Sequence, residues 1–401
     1  MKIVMFTDSY YPRINGVTIS VKTYAEGLAA IGHNVLIVAC DFCDSKSKKK
    51  TEKCYYEDVD QKKSNLKVLR VPAHRVFFSE EDRYLSVEYW KYIEKELVDY
   101  APNIVHMHTE FGAGLLARKY SKKYKIPLVY TFHTMWEDYV SNYVKFVPPT
   151  VSKYVVRKLL HYYFSHADLI LCPTKRIKKI VTDYKSEICA EVFPTGISGF
   201  NSALNENEKK RIYNKLKSLI PDFDNKKKLL YAGRVAKEKN LNFLLQVVEK
   251  LSKEHNLVLI LVGGGPELEK LKSETEKMNL SNQIFFLDYQ PREDLQYYYS
   301  IADVFVFPSV TETQGLVTIE SMMTGTPVVA IGEMGTVDVM QGNNGGFMVK
   351  HDLVDFCDKV EMLLKDKELY AEKSKQALEW SKNWDINDLV SKLNNMYESL
   401  V

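Results

Sequence analysis

Glu312 and Glu320 stand on either side of Gly315 in PSVTETQGLVTIESMMTG, with seven residues between them. The apolar run VFVFPSV precedes the pair and TPVVAIG follows it. The two acids therefore belong to a strand, a tight turn and the helix that the turn opens. Gly315 is expected to start that helix, whose first N–H groups have no partner inside it and attract anions. A carboxylate is a poor phosphate ligand but a good acceptor for two vicinal hydroxyls. The pattern fits a phosphate-bearing ligand with polyhydroxyl groups at both ends, a sugar nucleotide. One carboxylate would take ribose and the other a hexose, with diphosphate between them. The same spacing also suits two glutamates that only favour a helix start or its solvent face.

Further candidates lie in other loops that follow strands. In YAGRVAKEKN, Gly233 allows a tight exit, and Arg234 and Lys239 set two cations beside a helix start, with Asn240 as its cap. Arginine offers a planar fork to phosphate oxygens and lysine a mobile point charge. Ordinary surface cations are the competing reading. Gly263, Gly264 and Gly265 in LILVGGGPELEK allow close approach of backbone to backbone or to ligand. Near the start of the chain, TDSYYPRINGVTIS puts Gly16 just ahead of a helix, in the manner of an anion loop. His133 ends the strand in TFHTMWEDY. His106 and His108 share one strand face in IVHMHTEFG, with Glu110 two residues on. These residues suggest a metal or the acceptor side of a site, but no further metal ligand is evident beside them.

These residues need a frame that brings strand ends together. Strand and helix patterns alternate along nearly the whole chain, which predicts parallel sheets covered by helices. The alternation breaks over FPTGISGFNSALNENEK, residues 193–209, where Pro, Gly, Ser and Asn crowd. The expected fold class is α/β, with two Rossmann-like domains facing each other across a cleft. Their expected bounds are 1–199 and 200–385, with 386–401 as a last helix that can return to the first domain. Ligands of such sheets sit beyond the carboxyl ends of the strands. GAGLLA, residues 112–117, matches a dinucleotide fingerprint but follows a late strand. The next strand ends in His133 and Thr134 rather than in an acid for ribose, so that reading fails.

With 401 residues, 45% hydrophobic and 27% charged, a folded body of two domains is expected. MKIVMFTDSYYP reads as a first strand, not as a leader, and no run approaches the roughly 20 apolar residues of a membrane span. Of the six cysteines, Cys40 and Cys43 form a CxxC without a second pair of ligands, so reduced thiols are expected. Residues 1–199 hold 30 Lys and Arg against 22 Asp and Glu, leaving 25 against 30 in the remainder. The basic first half suits an anionic partner surface. No nucleic-acid motif accompanies it, so nucleic acid is not expected as a partner.

Taken together, the NGV loop, TFHT, PTGI, GRVAKEKN, VGGGPE and TETQGLVTIE span nearly the whole chain. They resemble the retaining GT-B glycosyltransferases of the family 4-like type that carry an E-x7-E motif. Many members have Phe-Gly or Tyr-Gly where this chain has Gln314-Gly315. That variant, with TFHTMWEDY, resembles the branch that glucosylates diacylglycerol. The resemblance implies that Gly16, Gly233, Arg234 and Lys239 serve the donor diphosphate. It assigns Glu312 to the hexose, together with Gln314, Gly315 and Leu316. Glu320 would hold the ribose, and His133 would lie beside the transferred sugar. Tyr289 and Gln290 would pass near the base. The implied catalytic set is His133, Glu312, Arg234 and Lys239, with His108 and Glu110 on the acceptor side.

The implied reaction moves a hexose, glucose by expectation, from a UDP-sugar to a membrane lipid such as 1,2-diacylglycerol, giving an α-glycolipid. Galactose, a sterol, or a soluble sugar or polysaccharide acceptor are the alternatives. Double displacement needs two carboxyl groups about 5 Å apart around the sugar. Both glutamates here are assigned to donor hydroxyls, so front-side transfer is expected, with the leaving phosphate taking the acceptor proton. No metal is required by that scheme, and Mg2+ would act at most as a stimulant.

The acceptor side points to a bilayer. In VSKYVVRKLLHYYFSH, residues 151–166, Lys153, Arg157, Lys158 and His161 flank a stripe of Val151, Val155, Leu159 and Tyr162 or Tyr163. Lys175, Arg176, Lys178 and Lys179 follow closely. Cations beside an apolar stripe suit a helix lying in a membrane surface, and the same stripe suits a helix covering its own core. The expected location is cytoplasmic, peripheral on the inner face of the cell membrane. Oligomeric state cannot be read from these residues.

Overall fold

A computed structural model describes residues 1–42, 53–57, 65–76, 79–133, 149–184, 187–200 and 203–401. Cys43, Pro148 and the part of TFHTMWEDY from Thr134 to Tyr139 lie outside them. The chain divides into two compact units, residues 1–196 with 386–401, and residues 197–385. The boundary falls inside the PTGI stretch.

The first unit is built on an eight-stranded sheet. Its spatial order is Ala190–Val192, Leu169–Cys172, Leu128–Thr131, Ile104–Met107, Lys2–Thr7, Asn34–Cys40, Leu66–Val71 and Tyr55–Glu57. All neighbours pair in parallel except the last, Tyr55–Glu57 against Leu66–Val71. Ile3 to Phe6, Val35 to Cys40 and Leu128 to Tyr130 are buried, so these strands carry continuous apolar runs rather than alternation. Ala73–Val76 and Ser79–Leu85 form a separate antiparallel hairpin that the periodicity did not announce. GAGLLA opens the helix Gly112–Tyr124, and its glycines serve packing. A Cβ on Gly112 would fall 2.0 Å from the Leu85 carbonyl oxygen, and one on Gly114 2.5 Å from that of Thr109.

The last helix, Ile386–Glu398, completes this unit. Leu389, Val390, Leu393 and Tyr397 join the core formed by Val21, Tyr24 and Leu28 of the helix Gly16–Ala30. Gly27 makes room for Val390, whose methyl would lie 2.3 Å from an added Cβ. The Tyr397 hydroxyl reaches His106 Nδ1 at 2.6 Å.

The second unit has a six-stranded, wholly parallel sheet. Its order is Ile284–Leu287, Leu257–Val262, Lys227–Ala232, Val304–Phe307, Val328–Ile331 and Gly346–Val349. The sixth strand escapes a reading by pattern because NNGGFMVK looks like a loop. Its glycine is required by packing, since a Cβ on Gly346 would meet the Val328 carbonyl oxygen at 1.9 Å.

Candidate active site

In the second unit, the strands Lys227–Ala232 and Val304–Phe307 are neighbours, so their exit loops emerge side by side. Three contacts tie these loops together. The Thr311 hydroxyl donates to the Glu238 carbonyl at 3.4 Å. Asn240 Nδ2 donates to the Pro308 carbonyl at 3.3 Å. Lys239 Nζ forms an ion pair with Glu312 Oε1, which also accepts from Ser309 Oγ at 2.7 Å. Two residues 73 positions apart in sequence, both singled out for donor chemistry, thus share one charged contact. Arg234 Nη1 lies 3.6 Å from Glu238 in the same loop.

Asn240 does not cap the helix Leu241–Leu251, contrary to expectation. It sits in the left-handed region at φ 55°, a conformation that Asn tolerates better than most residues. Its side chain turns instead to Pro308 and to His351 Nε2, 3.2 Å away.

The neighbouring loop packs by backbone. Val235 N donates to the Gly264 carbonyl at 2.8 Å, and Glu267 N to that of Val235 at 3.1 Å. A Cβ on Gly263 would lie 2.0 Å from the Gly233 carbonyl oxygen, and one on Gly265 2.3 Å from that of Val235. Gly263 and Gly265 thus serve the close approach of backbone to backbone foreseen for the glycine run. Gly264 instead leaves space for the ring of Tyr289, 2.7 Å from an added Cβ. Tyr289 is 60% exposed and donates its hydroxyl to the Gly264 carbonyl at 3.1 Å. Gln290 Oε1 accepts from Lys215 Nζ at 2.7 Å and from the Tyr298 hydroxyl at 3.0 Å.

Gly315 precedes the helix Leu316–Met323 at φ 79°, a backbone state that favours glycine. Gln314 before it is buried. Gly335 N donates to the Glu312 carbonyl at 2.7 Å, holding the acid's backbone in place. Glu320 is one turn inside the helix and almost fully buried. Its Oε1 accepts from Arg292 Nη1 at 2.7 Å and its Oε2 from the Tyr299 hydroxyl at 3.0 Å. A solvent-facing or purely capping role for Glu320 is therefore ruled out. Arg292, Tyr299 and Ser309 were not anticipated. Only Ser309, three residues from Glu312, stood within sight of the motif.

The first unit arranges its candidates differently. Asn15 caps the helix Gly16–Ala30 by accepting from Thr18 N at 2.9 Å, and its Nδ2 donates to Ser9 Oγ at 2.8 Å. PTGI is bound to the same helix: Thr195 Oγ1 donates to Ser20 Oγ at 3.0 Å, and the Tyr24 hydroxyl to the Pro194 carbonyl. His108 Nδ1 and His133 Nε2 are 3.1 Å apart. His106 uses both nitrogens, on Tyr397 and on Thr131 Oγ1 at 2.7 Å. Burial pushes His106 and His133 down to about 3 and His108 well below its ordinary value. Glu110 is buried and accepts from the Tyr130 hydroxyl. His106, His108 and Glu110 thus do not converge on one point. Among the described residues, the group of three metal-ligand types within reach of one another is Glu254, His255 and Glu361.

The helix Pro149–Phe164 has two apolar faces. Val156, Leu160, Tyr163 and Phe164 are buried, while Val151, Tyr154, Val155, Leu159 and Tyr162 are exposed. Arg157, Lys158 and His161 are exposed beside that second face, and the side chain of Lys153 lies outside the described residues. Arg118 from the helix Gly112–Tyr124 stacks on Tyr162, 3.4 Å from the ring centre. Lys175, Arg176 and Lys179 are exposed on the helix Lys175–Tyr184, and Lys178 pairs with Glu191 at 3.2 Å. Among the described residues no helix is long and apolar enough to cross a membrane.

Known proteins share this organisation. The family "Glycosyltransferase Family 4" matches residues 14–198 and "Glycosyl transferases group 1" matches residues 214–380. An alpha-monoglucosyldiacylglycerol synthase of Streptococcus pneumoniae is 32% identical over 335 residues, 83% of this chain and 71% of the relative. One of Acholeplasma laidlawii is 28% identical over 360 residues, 88% of this chain and 86% of the relative. The structure of Anabaena Alr3699/HepE in complex with UDP-glucose covers both chains completely with a TM-score of 0.77 at 15% identity. The chain accordingly belongs to the group 1, family 4-like glycosyltransferases, and its fold is GT-B.

Proposed function

We propose that the protein is a retaining hexosyltransferase that moves glucose from UDP-glucose to a membrane lipid, 1,2-diacylglycerol, forming an α-glucolipid. The observation that carries the donor half is the Lys239–Glu312 contact ahead of the glycine that opens the helix Leu316–Met323. It sets a cation for phosphate beside a carboxylate for sugar hydroxyls, the order in which a nucleotide sugar presents those groups. Arg234 and Lys239 bind the diphosphate, with Gly16 and Gly233 allowing its approach. Glu312, Gln314, Gly315 and Leu316 hold the hexose and Glu320 the ribose. The exposed Tyr289 ring and Gln290 lie towards the base. The structural relative bound to UDP-glucose supports this donor. The lipid acceptor is supported by the names of the two bacterial synthases.

In the proposed step, the acceptor oxygen attacks C1 on the face from which diphosphate leaves, and its proton passes to the departing phosphate oxygen. Arg234, Lys239 and the helix start stabilise the charge growing on that oxygen. His133, held neutral by partial burial, offers a hydrogen bond to the sugar without adding charge. His108 and Glu110 lie towards the acceptor. The exposed face of Val151, Tyr154, Val155, Leu159 and Tyr162, with Arg157, Lys158 and the cations of Lys175–Lys179, rests on the anionic inner leaflet.

One assay tests the whole proposal. Radiolabelled UDP-glucose is supplied with diacylglycerol in vesicles with and without phosphatidylglycerol, at low and high salt. Label is expected in an α-linked glucolipid, faster on anionic vesicles and slower at high salt. A β-linked product refutes retention, and equal rates on neutral vesicles refute the electrostatic docking.

A further inference from the structure

Glu320, assigned above to ribose, is almost closed off. Its side chain is 1% exposed, with one oxygen on Arg292 and the other on Tyr299. Tyr299 is wholly buried, so nothing reaches the carboxylate from that side. Arg292 is the partner with exposed surface, 21% of its side chain. A hydroxyl that reaches Glu320 therefore meets the Arg292 guanidinium as well. Phe200 backs the guanidinium, with its ring centre 5.0 Å away.

A sugar hydroxyl is donor and acceptor at once, a carboxylate only accepts, and a guanidinium only donates. The ion pair thus answers both halves of a hydroxyl. The carboxylate takes its hydrogen and the guanidinium donates to its oxygen. A planar fork beside a carboxylate also suits two adjacent hydroxyls better than a point charge would. We propose that Arg292 and Glu320 together form the receptor for the vicinal diol, and that Arg292 makes the site select ribonucleotide over deoxyribonucleotide donors. The inference rests on the donor reading given above.

Calorimetry on the full chain tests it with UDP, 2′-deoxy-UDP and 3′-deoxy-UDP. The native protein should bind UDP about tenfold or more tighter than either deoxy compound. Arg292→Met should bind UDP about as weakly as the deoxy compounds, with those two changed little. Arg292→Lys keeps the charge without the fork and should retain part of the preference. It also carries the test if Arg292→Met does not fold. Loss of affinity by one common factor for all three ligands would make Arg292 merely structural and overturn the proposal. Tighter UDP binding by Arg292→Met, or full preference in Arg292→Lys, would overturn it too. A native protein that binds all three equally defeats this inference and leaves the donor reading standing. One that binds none of them defeats the donor reading itself.

Discussion

The strand ends of the two units handle buried polarity in opposite ways. In the first unit, His106 and His108 are buried and His133 is half-buried, as neutral rings that share hydrogen bonds with Tyr397, Thr131 and one another. In the second, Glu312 and Glu320 stay beside Lys239 and Arg292 as ion pairs. Burial opposes charge, and a group can meet that penalty by shedding its charge or by finding an opposite one. These histidines of the first unit shed charge and these glutamates of the second unit pair it.

The hardest way to break the contrast is to remove one charge from the pairing side. Glu312→Gln keeps the shape but not the charge beside Lys239. Turnover is expected to fall about 100- to 1,000-fold while UDP affinity holds, because the diphosphate contacts remain. Steady-state kinetics with calorimetry reads both, and turnover within threefold of the native value would remove Glu312 from the sugar site.

Acid sharpens the contrast from the other side. Each of the three imidazoles has its pKa lowered in the fold from the usual 6.5 and is protonated only after unfolding. The stability that follows is complete above pH 6.5 and drains away as pH falls towards 3. At pH 5 the loss is about 2 kcal/mol for His106 and for His133. Asp8 acts in the reverse sense, because burial raises its pKa from 3.8 to about 6. Its contribution is full below pH 3.8, vanishes as pH rises through 6, and offsets about 1 kcal/mol of the loss at pH 5. Hydrogen exchange should therefore show the strand Ile104–Met107 losing protection between pH 7 and 5, after correction for intrinsic rates, while Leu257–Val262 changes little. Equal losses in both strands would erase the contrast.

The smallest expected effect compares two glycines at helix starts. Gly315 has a left-handed backbone and Gly16 does not. Gly315→Ala should lower stability by about 1–2 kcal/mol and raise the donor KM a few-fold, whereas Gly16→Ala brings no such strain. Thermal unfolding of the two variants checks this, and matching losses would count against it.

Much of this frame was legible in the residues themselves. Apolar runs such as LVLILV and VFVF declare buried parallel strands, and Gly315 between two acids marks a turn into a helix. Positions were legible and partners were not. That Glu320 meets Arg292 and Tyr299, or that His106 meets Tyr397 at a separation of 291 residues, follows from packing that no local period encodes. GGFMV hid a strand because Gly346 answers to the carbonyl of Val328 rather than to β propensity. Asn240 stood where a cap belongs, yet its backbone conformation sent the side chain elsewhere.

The helix Ile386–Glu398 bears on how the molecule is made. The ribosome reaches it only after every residue of the second unit has been synthesised, so that unit can fold while the first still lacks a wall. Until Tyr397 arrives, His106 has no hydroxyl on Nδ1 and the groove at Gly27 stands open. The part synthesised first is thus the last to be finished, and in the interval its apolar surface is open to chaperones.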